Sequence, residues 1–478
     1  MNRIRLVLAI LVGKISIIIS RLLGNQGSNF PGKMARRIYP SILKELALQV
    51  KGKIIVITGT NGKTTTTNML ARIISETGAA LIHNESGANM LAGITTAFIE
   101  KSGLISRKQF DYALLETDEA HVPLLLNELN PSLLLITNFF SDQLDRFGEL
   151  DNIIKMIKDA VNNREIDLLL NADDPLTAHF YDLISANPYC FGFTATSYDS
   201  YDSRESREGR YCVVCRQELK YRRYHYAGLG KFDCPGCNNH NPEPNFTGHD
   251  LVMDPTIELM VDNLKINSPY QGFYNAYNVL AAVAAARMLG INGQQIQKAI
   301  AHYQPQAGRM ETFHINGRPA ILILVKNPTG LNQSLTTIIQ DHAYKNLFFA
   351  LNDNDGDGRD ISWIWDAGME VIEEEQDRIK HVVCSGLRSG DMALRIKYAG
   401  YPLERLEIKT DLKEAIEYIT GLEGEITYLF STYSALFECR KILLDLQKRM
   451  SEVGGHKRRS EIRGRKSEEG SRRSAGGN

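Results

Sequence analysis

Short apolar runs recur through the N-terminal part of the chain, and segments of helical character separate them. The runs lie at Ile54–Ile57, Ala113–Leu115, Leu133–Ile136 and Leu168–Leu170, with helix-like segments at Asn68–Glu76 and Glu149–Val161. Runs of this kind are typical of buried strands, and strands that alternate with helices form parallel sheets. The pattern predicts an α/β protein with a doubly wound parallel sheet.

A polar segment, Tyr198–Asn245, interrupts this alternation and is interpreted as an insertion. An alanine-rich helix, Ala276–Leu289, follows it, and a second α/β pattern begins after Gly308-Arg309 with strands at Ala320–Val325, Leu347–Leu351, His381–Cys384 and Ile426–Phe430. We therefore expect an N-terminal helical segment over 1–45, a central domain over 46–311 with an insertion at about 198–245, a smaller Rossmann-like α/β domain over 312–450, and a disordered basic tail over 451–478.

The first apolar segment, Ile4–Leu23, is interrupted by Arg5, Lys14 and Arg21. The uninterrupted apolar run is too short to cross a bilayer, and no small-residue cleavage pattern follows it. This favours an amphipathic helix packed on the protein. A membrane-surface helix and a signal peptide or anchor remain the alternatives.

Composition narrows the class of protein. The 478 residues include 43% hydrophobic and 23% charged residues, which excludes a disordered or fibrous protein. Lys and Arg total 55 against 56 Asp and Glu, so there is no global basic field for nucleic acid, although residues 456–478 contain eight basic and three acidic side chains. Seven cysteines in so long a chain favour a reducing compartment, and we expect a cytoplasmic protein, with contact at the inner face of the membrane left open.

The strongest chemical signal is the turn Gly59-Thr60-Asn61-Gly62-Lys63-Thr64-Thr65, which lies between a predicted strand and a predicted helix. Glycines let backbone N–H groups face phosphate oxygens, and the helix N-terminus adds partial positive charge. Lys63 can bridge the β- and γ-phosphates and Thr64 can bind Mg²⁺, although the spacing is two residues shorter than in a Walker A motif. The turn predicts a P-loop ATPase domain.

Acidic and amide side chains follow the next strands. They occur in Glu116-Thr-Asp118-Glu119, in Thr137-Asn138 with Asp142-Gln-Leu-Asp145, and in Asn171-Ala-Asp173-Asp174. Glu116 lies where the carboxyl ends of parallel strands meet, and a carboxylate beside a P-loop can bind Mg²⁺. Helix capping is the alternative role for each of them.

Two cysteine pairs form the second signal. Cys212-x-x-Cys215 and Cys234-x-x-Cys237 are separated by 18 residues, which is zinc-ribbon spacing. Four thiolates fill a tetrahedral Zn²⁺ site, so we expect a structural zinc centre in the insertion. Free or disulfide-bonded cysteines are the alternative, and the neighbouring basic residues leave nucleic-acid binding open as a minor one.

The third signal is the acidic segment Asn352–Asp366, which contains both tryptophans of the chain, Trp363 and Trp365. It follows a predicted strand directly. The spacing of its aspartates does not match a calcium loop. The tryptophans indicate an anchored loop that faces a partner.

These motifs resemble those of the Mur ligase family, as do Phe273-Tyr-Asn275-Ala-Tyr-Asn278 and Gly308-Arg309-Met-Glu311, all in the Mur order across 54–311. The resemblance implies that Lys63 and Thr64 bind ATP phosphates and Mg²⁺, that Glu116 is a catalytic metal ligand, that Asn275 contacts adenine, and that Arg309 reaches the nucleotide. Mur ligases activate a carboxylate as an acyl phosphate, which an amine then attacks.

The chain departs from that family at three places. Gln143 replaces a metal-binding histidine, Ile157 lies where a carbamylated lysine is usual, and Val325-Lys326-Asn327-Pro328 replaces the segment that receives an amino acid. The carbamylated lysine is therefore in doubt. We expect a smaller nucleophile than an amino acid, and Lys326 is our candidate for the changed group.

The segment 352–366, together with Ser385-Gly386-Leu-Arg-Ser-Gly and Thr432-Tyr433-Ser434-Ala435, is similar to the MurT family of synthetase subunits. That resemblance implies ATP-dependent amidation of the D-glutamate α-carboxyl of lipid II, a peptidoglycan precursor, with ammonia from a GatD-type glutaminase in a heterodimer. It also implies an aspartate of 355–366 that completes the glutaminase triad, first Asp360 and then Asp366. A stand-alone amino-acid ligase resembling folylpolyglutamate synthases, and a non-enzymatic ATP-dependent scaffold that binds nucleic acid or anionic lipid, are the alternatives.

Overall fold

A computed structural model describes residues 2–23, 27–84, 88–104, 108–140, 150–162, 164–178, 180–181, 186–201, 209–237, 239–254, 256–303, 307–354 and 356–449. The chain divides into two compact units, 1–304 and 305–478. Gln143, Asp355 and the basic tail lie outside the described residues, as do Asp142 and Asp145. Among the described residues, no helix combines the length and the apolar content needed to span a bilayer.

The first unit contains ten helices that the structure describes and eleven strands. The helices are α1 (Asn2–Leu22), α2 (Phe30–Ile38), α3 (Ile42–Ala47), α4 (Lys63–Glu76), α5 (Leu91–Lys101), α6 (Val122–Leu126), α7 (Leu150–Val161), α8 (Pro175–Ala178), α9 (Phe273–Met288) and α10 (Gly293–Ala301). The strands are β1 (Val50–Thr58), β2 (Leu81–His83), β3 (Phe110–Glu116), β4 (Leu133–Ile136), β5 (Ile166–Asn171), β6 (Ala186–Phe193), β7 (Lys220–Tyr226), β8 (Leu229–Asp233), β9 (Phe246–Val252), β10 (Ile257–Val261) and β11 (Leu264–Ser268).

Nine of these strands form one sheet in the order β11-β10-β9-β6-β5-β4-β1-β3-β2. In this order, each strand from β9 to β2 is parallel to its neighbour. The other two pairs, β9 with β10 and β10 with β11, are antiparallel. Alternate side chains of β1 lie on opposite faces of the sheet. Ile55 and Ile57 pack toward α4 and α9, whereas Val56 packs toward the side that carries α1–α3 and α5–α7. The doubly wound parallel sheet expected from the sequence is confirmed.

Residues 198–245 contribute a separate two-stranded antiparallel sheet, β7 with β8. A small buried cluster of Cys212, Leu219, Phe232 and Cys234 lies beside it. Among the described residues of this segment the apolar core is small, which agrees with its interpretation as a metal-stabilised insertion.

The second unit is a smaller α/β fold. Its helices are α11 (Pro328–Gln340), α12 (Val371–Glu374), α13 (Ser389–Tyr398), α14 (Leu412–Gly421) and a final helix over 433–449, and its strands are β12 (Arg309–Ile315), β13 (Arg318–Leu324), β14 (Lys345–Ala350), β15 (Ile379–Ser385), β16 (Leu406–Ile408) and β17 (Ile426–Ser431). The sheet order is β12-β13-β17-β14-β15-β16, and only β12 is antiparallel to its neighbour. Buried clusters cover both faces, as in a Rossmann-like domain.

Candidate active site and cysteine centre

The glycine turn connects β1 to α4, at the carboxyl edge of the parallel sheet. Gly59 has φ +122° and Gly62 has φ +83°, and both angles lie in the region that favours glycine. A Cβ at Gly62 would lie 2.0 Å from Asn278 Oδ1, and one at Gly59 would lie 2.3 Å from Thr137 Oγ1. Both glycines are therefore required by conformation and by close packing.

The residues after β4 hold the turn in shape. Thr60 N–H donates to Asn138 O (2.9 Å), Asn61 N–H donates to Asn138 Oδ1 (3.0 Å), and Thr137 Oγ1 donates to Asn61 O (2.7 Å). Thr65 is buried in the first turn of α4. Because several bonds fix the loop backbone, it is organised before any ligand arrives.

Lys63 is buried at the N-terminus of α4 and pairs with Glu119 Oε2 at 3.0 Å. Its ammonium also donates to the carbonyl oxygens of Gly59 and Thr60. Asp118 caps the short helix Glu119–His121. Burial acts to raise the pKa of Asp118, but the hydrogen bond with His121 and the charge of Lys63 outweigh it and hold this pKa below its usual value.

Thr64 and Glu116 form a pair of oxygen donors beside Lys63. Thr64 Oγ1 donates to Glu116 Oε1 at 2.9 Å, and Glu116 is buried. Asn84 accepts from Glu116 N–H (2.9 Å) and donates to its carbonyl oxygen (2.8 Å), which fixes the end of β3. Neighbouring ligands of octahedral Mg²⁺, at 2.0–2.1 Å from the ion, lie about 2.9 Å apart. The two oxygens therefore fit a magnesium site.

Helix α9 brings an amide pair to the same loop. Asn278 Nδ2 donates to Asn275 Oδ1 (3.2 Å), and Asn275 Nδ2 donates to Gln271 O (2.8 Å). Asn278 also accepts from Thr66 Oγ1 (3.4 Å), so α9 and α4 meet at the turn. The structure thus brings Asn275 toward the P-loop through Asn278.

Arg309 belongs to the second unit, as the first residue of β12. The pairing with β13 shifts register between Arg309 and Glu311, and Met310 between them has φ +56°. Such a bulge bends the strand and redirects the side chains next to it.

Asp173 and Asp174 follow β5 at the same carboxyl edge and are buried. Asp174 accepts from Phe139 N–H and Leu176 N–H, both at 2.9 Å, and burial raises its pKa to about 7. Asp173 accepts from Phe193 N–H (2.7 Å) and Tyr277 Oη (2.8 Å). Both carboxylates are therefore enclosed by protein donors.

The β7–β8 hairpin binds to this edge through a buried charge network. Lys231 Nζ lies 2.6 Å from Asp173 Oδ1, and His225, also buried, lies 2.7 Å from Asp199 Oδ1 through Nδ1. Asn241 Nδ2 donates to Ala172 O at 2.8 Å. The insertion is thus attached at Asp173, whose other oxygen binds Tyr277 of α9.

The four predicted cysteine ligands meet at one point, and their sulfur atoms lie within 4.8 Å of one another. The distance is 3.6 Å between the sulfurs of Cys212 and Cys237 and 3.3 Å between those of Cys215 and Cys234. In a tetrahedral site with Zn–S bonds of 2.3 Å the sulfurs lie about 3.8 Å apart. Burial acts to raise the pKa of Cys212, but N–H donors from Cys215, Asn239 and Val214 lower it to about 6. The donor set can hold a metal ion.

In the second unit, the acidic loop is fixed at one aspartate and exposed at two others. Asp357 is buried, and it accepts from Ser434 N–H (2.7 Å) and Ser434 Oγ. Asp360 is exposed and accepts from Ser362 N–H (2.8 Å), and its hydrogen bonds with Ser362 hold its pKa below the usual value. Asp366 is exposed at the end of the short helix Ser362–Trp365.

The other departures also have a place in the fold. Ile157, the position at which the sequence comparison expects the modified lysine of Mur ligases, is fully buried on α7. Lys326 is half-buried after β13, and the next residue, Asn327, caps α11 by accepting from Gly330 N–H (2.8 Å).

Sequence reasoning did not assign roles to Glu119, Asn84, Asn138 and Asn278, all of which contact the turn or its ligand pair. Glu119, Asn138 and Asn278 lie inside the motifs described above, so the sequence does indicate that they could lie near the turn. Asn84 follows a three-residue strand and offered none.

Comparison with known proteins identifies the family to which a chain with this fold and site belongs. Residues 57–233 match the Mur ligase middle domain, and residues 324–436 match the MurT ligase C-terminal family. The fold is similar to that of a pseudomurein peptide ligase type C from Methanothermus fervidus (TM-score 0.64, 21% identity, 84% of this chain and 80% of that chain). It is also similar to that of MurF from Acinetobacter baumannii (TM-score 0.61, 18% identity, 87% and 80%). The fold and its glycine turn define a protein of the Mur ligase class.

Two relatives narrow this class. The lipid II isoglutaminyl synthase (glutamine-hydrolyzing) subunit MurT of Staphylococcus aureus strain COL is 37% identical over 428 residues, which cover 90% of this chain and 95% of that protein. The corresponding subunit of Streptococcus pneumoniae is 36% identical over 445 residues, 92% and 97%. The chain belongs to the MurT family, as expected from the sequence.

Proposed function

We propose that this chain is the ATP-dependent synthetase subunit of a lipid II isoglutaminyl synthase. Its substrate is then lipid II, and its reaction converts the α-carboxyl of D-glutamate in the stem peptide to the amide of D-isoglutamine. The observation that carries the proposal is the 2.9 Å contact between Thr64 Oγ1 and Glu116 Oε1 beside the glycine turn. This pair suits a metal–triphosphate complex, and the relatives named above carry the enzyme's name.

The proposed reaction begins when the N–H groups of the turn and the Lys63 ammonium bind the triphosphate of ATP. Lys63 must then exchange the Glu119 carboxylate for a phosphate oxygen. Thr64 and Glu116 would hold Mg²⁺, which would neutralise charge on the phosphates. The peptide carboxylate attacks the γ-phosphorus and ADP leaves, which gives an acyl phosphate. Ammonia attacks the acyl carbon, and inorganic phosphate leaves as the amide forms.

In this proposal the rest of the nucleotide is bound by Asn275, at the adenine, and by Arg309. Asn275 is supported by its contact with Asn278, which adjoins Gly62. For Arg309 the support is the family motif and the bulge that redirects the start of β12.

We also assign Zn²⁺ to the four cysteines as a structural ion. Four thiolates leave no open position for water, which distinguishes a structural from a catalytic zinc site. The sulfur–sulfur distances and the small local core support this assignment.

The nitrogen source in this proposal is a GatD-type glutaminase, bound as the second subunit of a heterodimer. A glutaminase Cys and His need a carboxylate that orients the imidazole. Asp360 is our first candidate for that carboxylate, because it is exposed, whereas Asp357 is committed to Ser434. Asp366 is the second candidate.

The experiment supplies detergent-solubilised lipid II, MgATP and ammonium chloride to the purified chain, and follows ADP release and amide formation by mass spectrometry. Thr64→Val should reduce both by at least about 100-fold, since the metal loses a ligand, and Thr64→Ser should retain most activity. The proposal is wrong if the wild type releases no ADP with all components present, or if an amino acid replaces ammonium as the better nucleophile.

A second arm adds the glutaminase subunit and glutamine. Asp360→Asn should abolish glutamine-driven amidation and leave ammonium-driven amidation intact. Asp366→Asn is the comparison variant: it should retain both activities if Asp360 is the orienting carboxylate, and lose only the glutamine-driven one if Asp366 is. Unchanged glutamine-driven amidation would exclude Asp360 from the triad, whereas equal loss with both nitrogen sources would point to a folding defect.

A further inference from the structure

Helix α1 carries a continuous apolar face that the described residues leave open to solvent. Ile4, Leu8, Leu11, Ile15, Ile18 and Leu22 are between 40% and 81% exposed, and we call them the α1 stripe. Their spacing of three or four residues puts them on one side of a helix, within an arc of about 60–80° at 100° per residue. Exposed apolar patches of this extent mark interaction surfaces.

The opposite side of α1 fixes the direction in which the stripe points. Ala9, Ile10 and Ile17 are buried in the core that α1 shares with α2 and α5. A Cβ at Gly13 would lie 2.9 Å from the Ile99 side chain, so the helix lies close against α5. The stripe therefore faces outward and cannot rotate into the protein without loss of this packing.

The N-terminal segment that contains the stripe is strongly positive. Residues 1–53 contain ten Lys or Arg and a single acidic residue, Glu45, although the whole chain has a net charge of −1. At 100° per residue, Arg3, Lys14 and Arg21 fall along one flank of the stripe and Arg5 falls on the other. Arg21 pairs with Glu100 at 2.7 Å, and that pair remains exposed. Long basic side chains on both flanks can reach phosphates while the apolar side chains enter the acyl region.

We propose that the α1 stripe binds the surface of an anionic phospholipid bilayer, with the axis of α1 parallel to the membrane plane. An apolar arc with basic flanks, on a helix that itself carries no carboxylate, suits a lipid surface better than a protein partner, which would offer charges of both signs. Membrane binding by α1 is independent of the proposed function. The purpose that we give to this binding, access to a lipid-linked substrate, rests on the proposed function.

The C-terminal end of α1 also adjoins the edge of the sheet that carries the active site. A cavity of about 130 Å³ lies there, and its lining includes Arg21, His83, Asn84 and Lys101. Asn84 is the residue that fixes the backbone of Glu116. A bilayer against α1 therefore lies on the flank of the protein next to the proposed catalytic edge, where a lipid-linked peptide can reach it.

The test is co-sedimentation of the full chain with large unilamellar vesicles that contain no lipid II. One set contains phosphatidylglycerol and phosphatidylcholine, and the other contains phosphatidylcholine alone. The stripe variant Ile15→Gln/Ile18→Gln/Leu22→Gln retains good helix formers. The matched control, Leu124→Gln/Met156→Gln/Val252→Gln, replaces apolar residues elsewhere in the first unit that are 46–50% exposed, against 46–81% for the three stripe positions. Each protein is also measured after deletion of 451–478, because that tail is basic.

We expect binding to the anionic vesicles that weakens at least fivefold in high salt and on vesicles of phosphatidylcholine alone. The stripe variant should lose at least tenfold in the partition coefficient, and the control variant less than twofold, with unchanged circular dichroism and melting temperature. Arg3→Gln/Arg5→Gln should weaken binding to anionic vesicles by several fold without effect on neutral ones.

Equal binding by the stripe variant and the wild type, or no binding by the wild type, overturns the proposal. It is also overturned if the stripe variant instead loses a dimer or the glutaminase subunit in sedimentation velocity, since the stripe is then a protein interface. The vesicles carry no substrate, so a chain that binds them but never releases ADP would refute the proposed function and leave this inference standing.

Discussion

Substitution of Lys231 tests whether an ion pair holds the insertion on the carboxyl edge of the parallel sheet. Its ammonium lies 2.6 Å from Asp173 Oδ1, and Asp173 is fully buried. Asp173 also binds Tyr277 of α9, the helix that carries Asn275 and Asn278. Lys231→Met keeps most of the side-chain volume and removes the charge, so the Asp173 carboxylate loses its lysine partner and keeps only His225, at 3.9 Å, as a nearby basic group among the described residues.

The expected loss follows from the burial of the two groups. Removal of one partner from a fully buried ion pair costs about 3–5 kcal/mol, because the remaining charge is uncompensated. The Lys231 side chain is 19% exposed, so water already screens part of the pair. Asp173 also keeps the donors Phe193 N–H and Tyr277 Oη. We therefore expect the free energy of unfolding of the first unit to fall by about 2–3 kcal/mol.

Urea and thermal unfolding of the first unit measure this loss. At about 2 cal/mol/K per residue, the unfolding entropy of about 300 residues converts it to a fall of roughly 3–5 °C in Tm. Asp173→Asn in the Lys231→Met background should restore at least about 1 kcal/mol, because the buried charge is then gone. Lys265→Met, which removes an exposed pair with Glu258, is the control and should change stability by less than about 0.5 kcal/mol. A cost for Lys231→Met no larger than the control's, or no rescue by Asp173→Asn, would refute the reasoning.

Three further predictions concern the protonation of His83, the proposed zinc site and the role of Lys326 in amidation. Burial, with the charge of Lys101, lowers the pKa of His83 from 6.5 to about 4, so the folded state excludes a proton that the unfolded state binds. Stability should therefore fall as pH drops from 6.5 to 4, by up to about 3 kcal/mol more than in His83→Gln, as denaturant titrations at each pH would show. If the four cysteines hold Zn²⁺ as proposed, its removal by chelation or by Cys234→Ser should expose amides of 209–237 to hydrogen exchange and leave those of β1 protected. Equal protection of 209–237 before and after chelation would contradict a structural zinc. Lys326→Ala should lower ammonium-driven amidation and ATP turnover together, and unchanged rates would exclude Lys326 as the changed group.

The central parallel strands were predictable, because burial on both faces leaves an apolar run, whereas the edge strands and those of the insertion were not named from the sequence. Leu133–Ile136 has the same bounds in the sequence and in the structure. Helix α4 begins at Lys63 rather than at the expected Asn68, since its first turn consists of polar residues that are buried by the loop and by Asn278. Helical periodicity cannot show such a turn, because its burial depends on a partner distant in sequence.

The site was predictable as far as motifs are local. The contact between Thr64 and Glu116 follows from parallel strands that end at one edge, and spacing alone predicted that the cysteines would meet. The network of Asp173, Lys231 and His225 was not predictable, since it joins a strand end to a hairpin more than fifty residues later. Nothing in a polar segment rich in Tyr and Arg indicates which of its charges will be buried.

The acidic loop of the second unit shows how packing separates aspartates that look equivalent in sequence. Trp363 is buried in the core beside β14, whereas Trp365 is 48% exposed and lies against Arg395 and Tyr398. Asp357 is bound to Ser434, so its oxygens are not available to a partner's imidazole. Among the residues that the structure describes, Asp360 bonds to Ser362 alone, and it is exposed next to the anchored tryptophan. If a glutaminase docks on this loop, as proposed above, it would meet a fixed backbone and an accessible carboxylate, which is the geometry that an orienting acid needs.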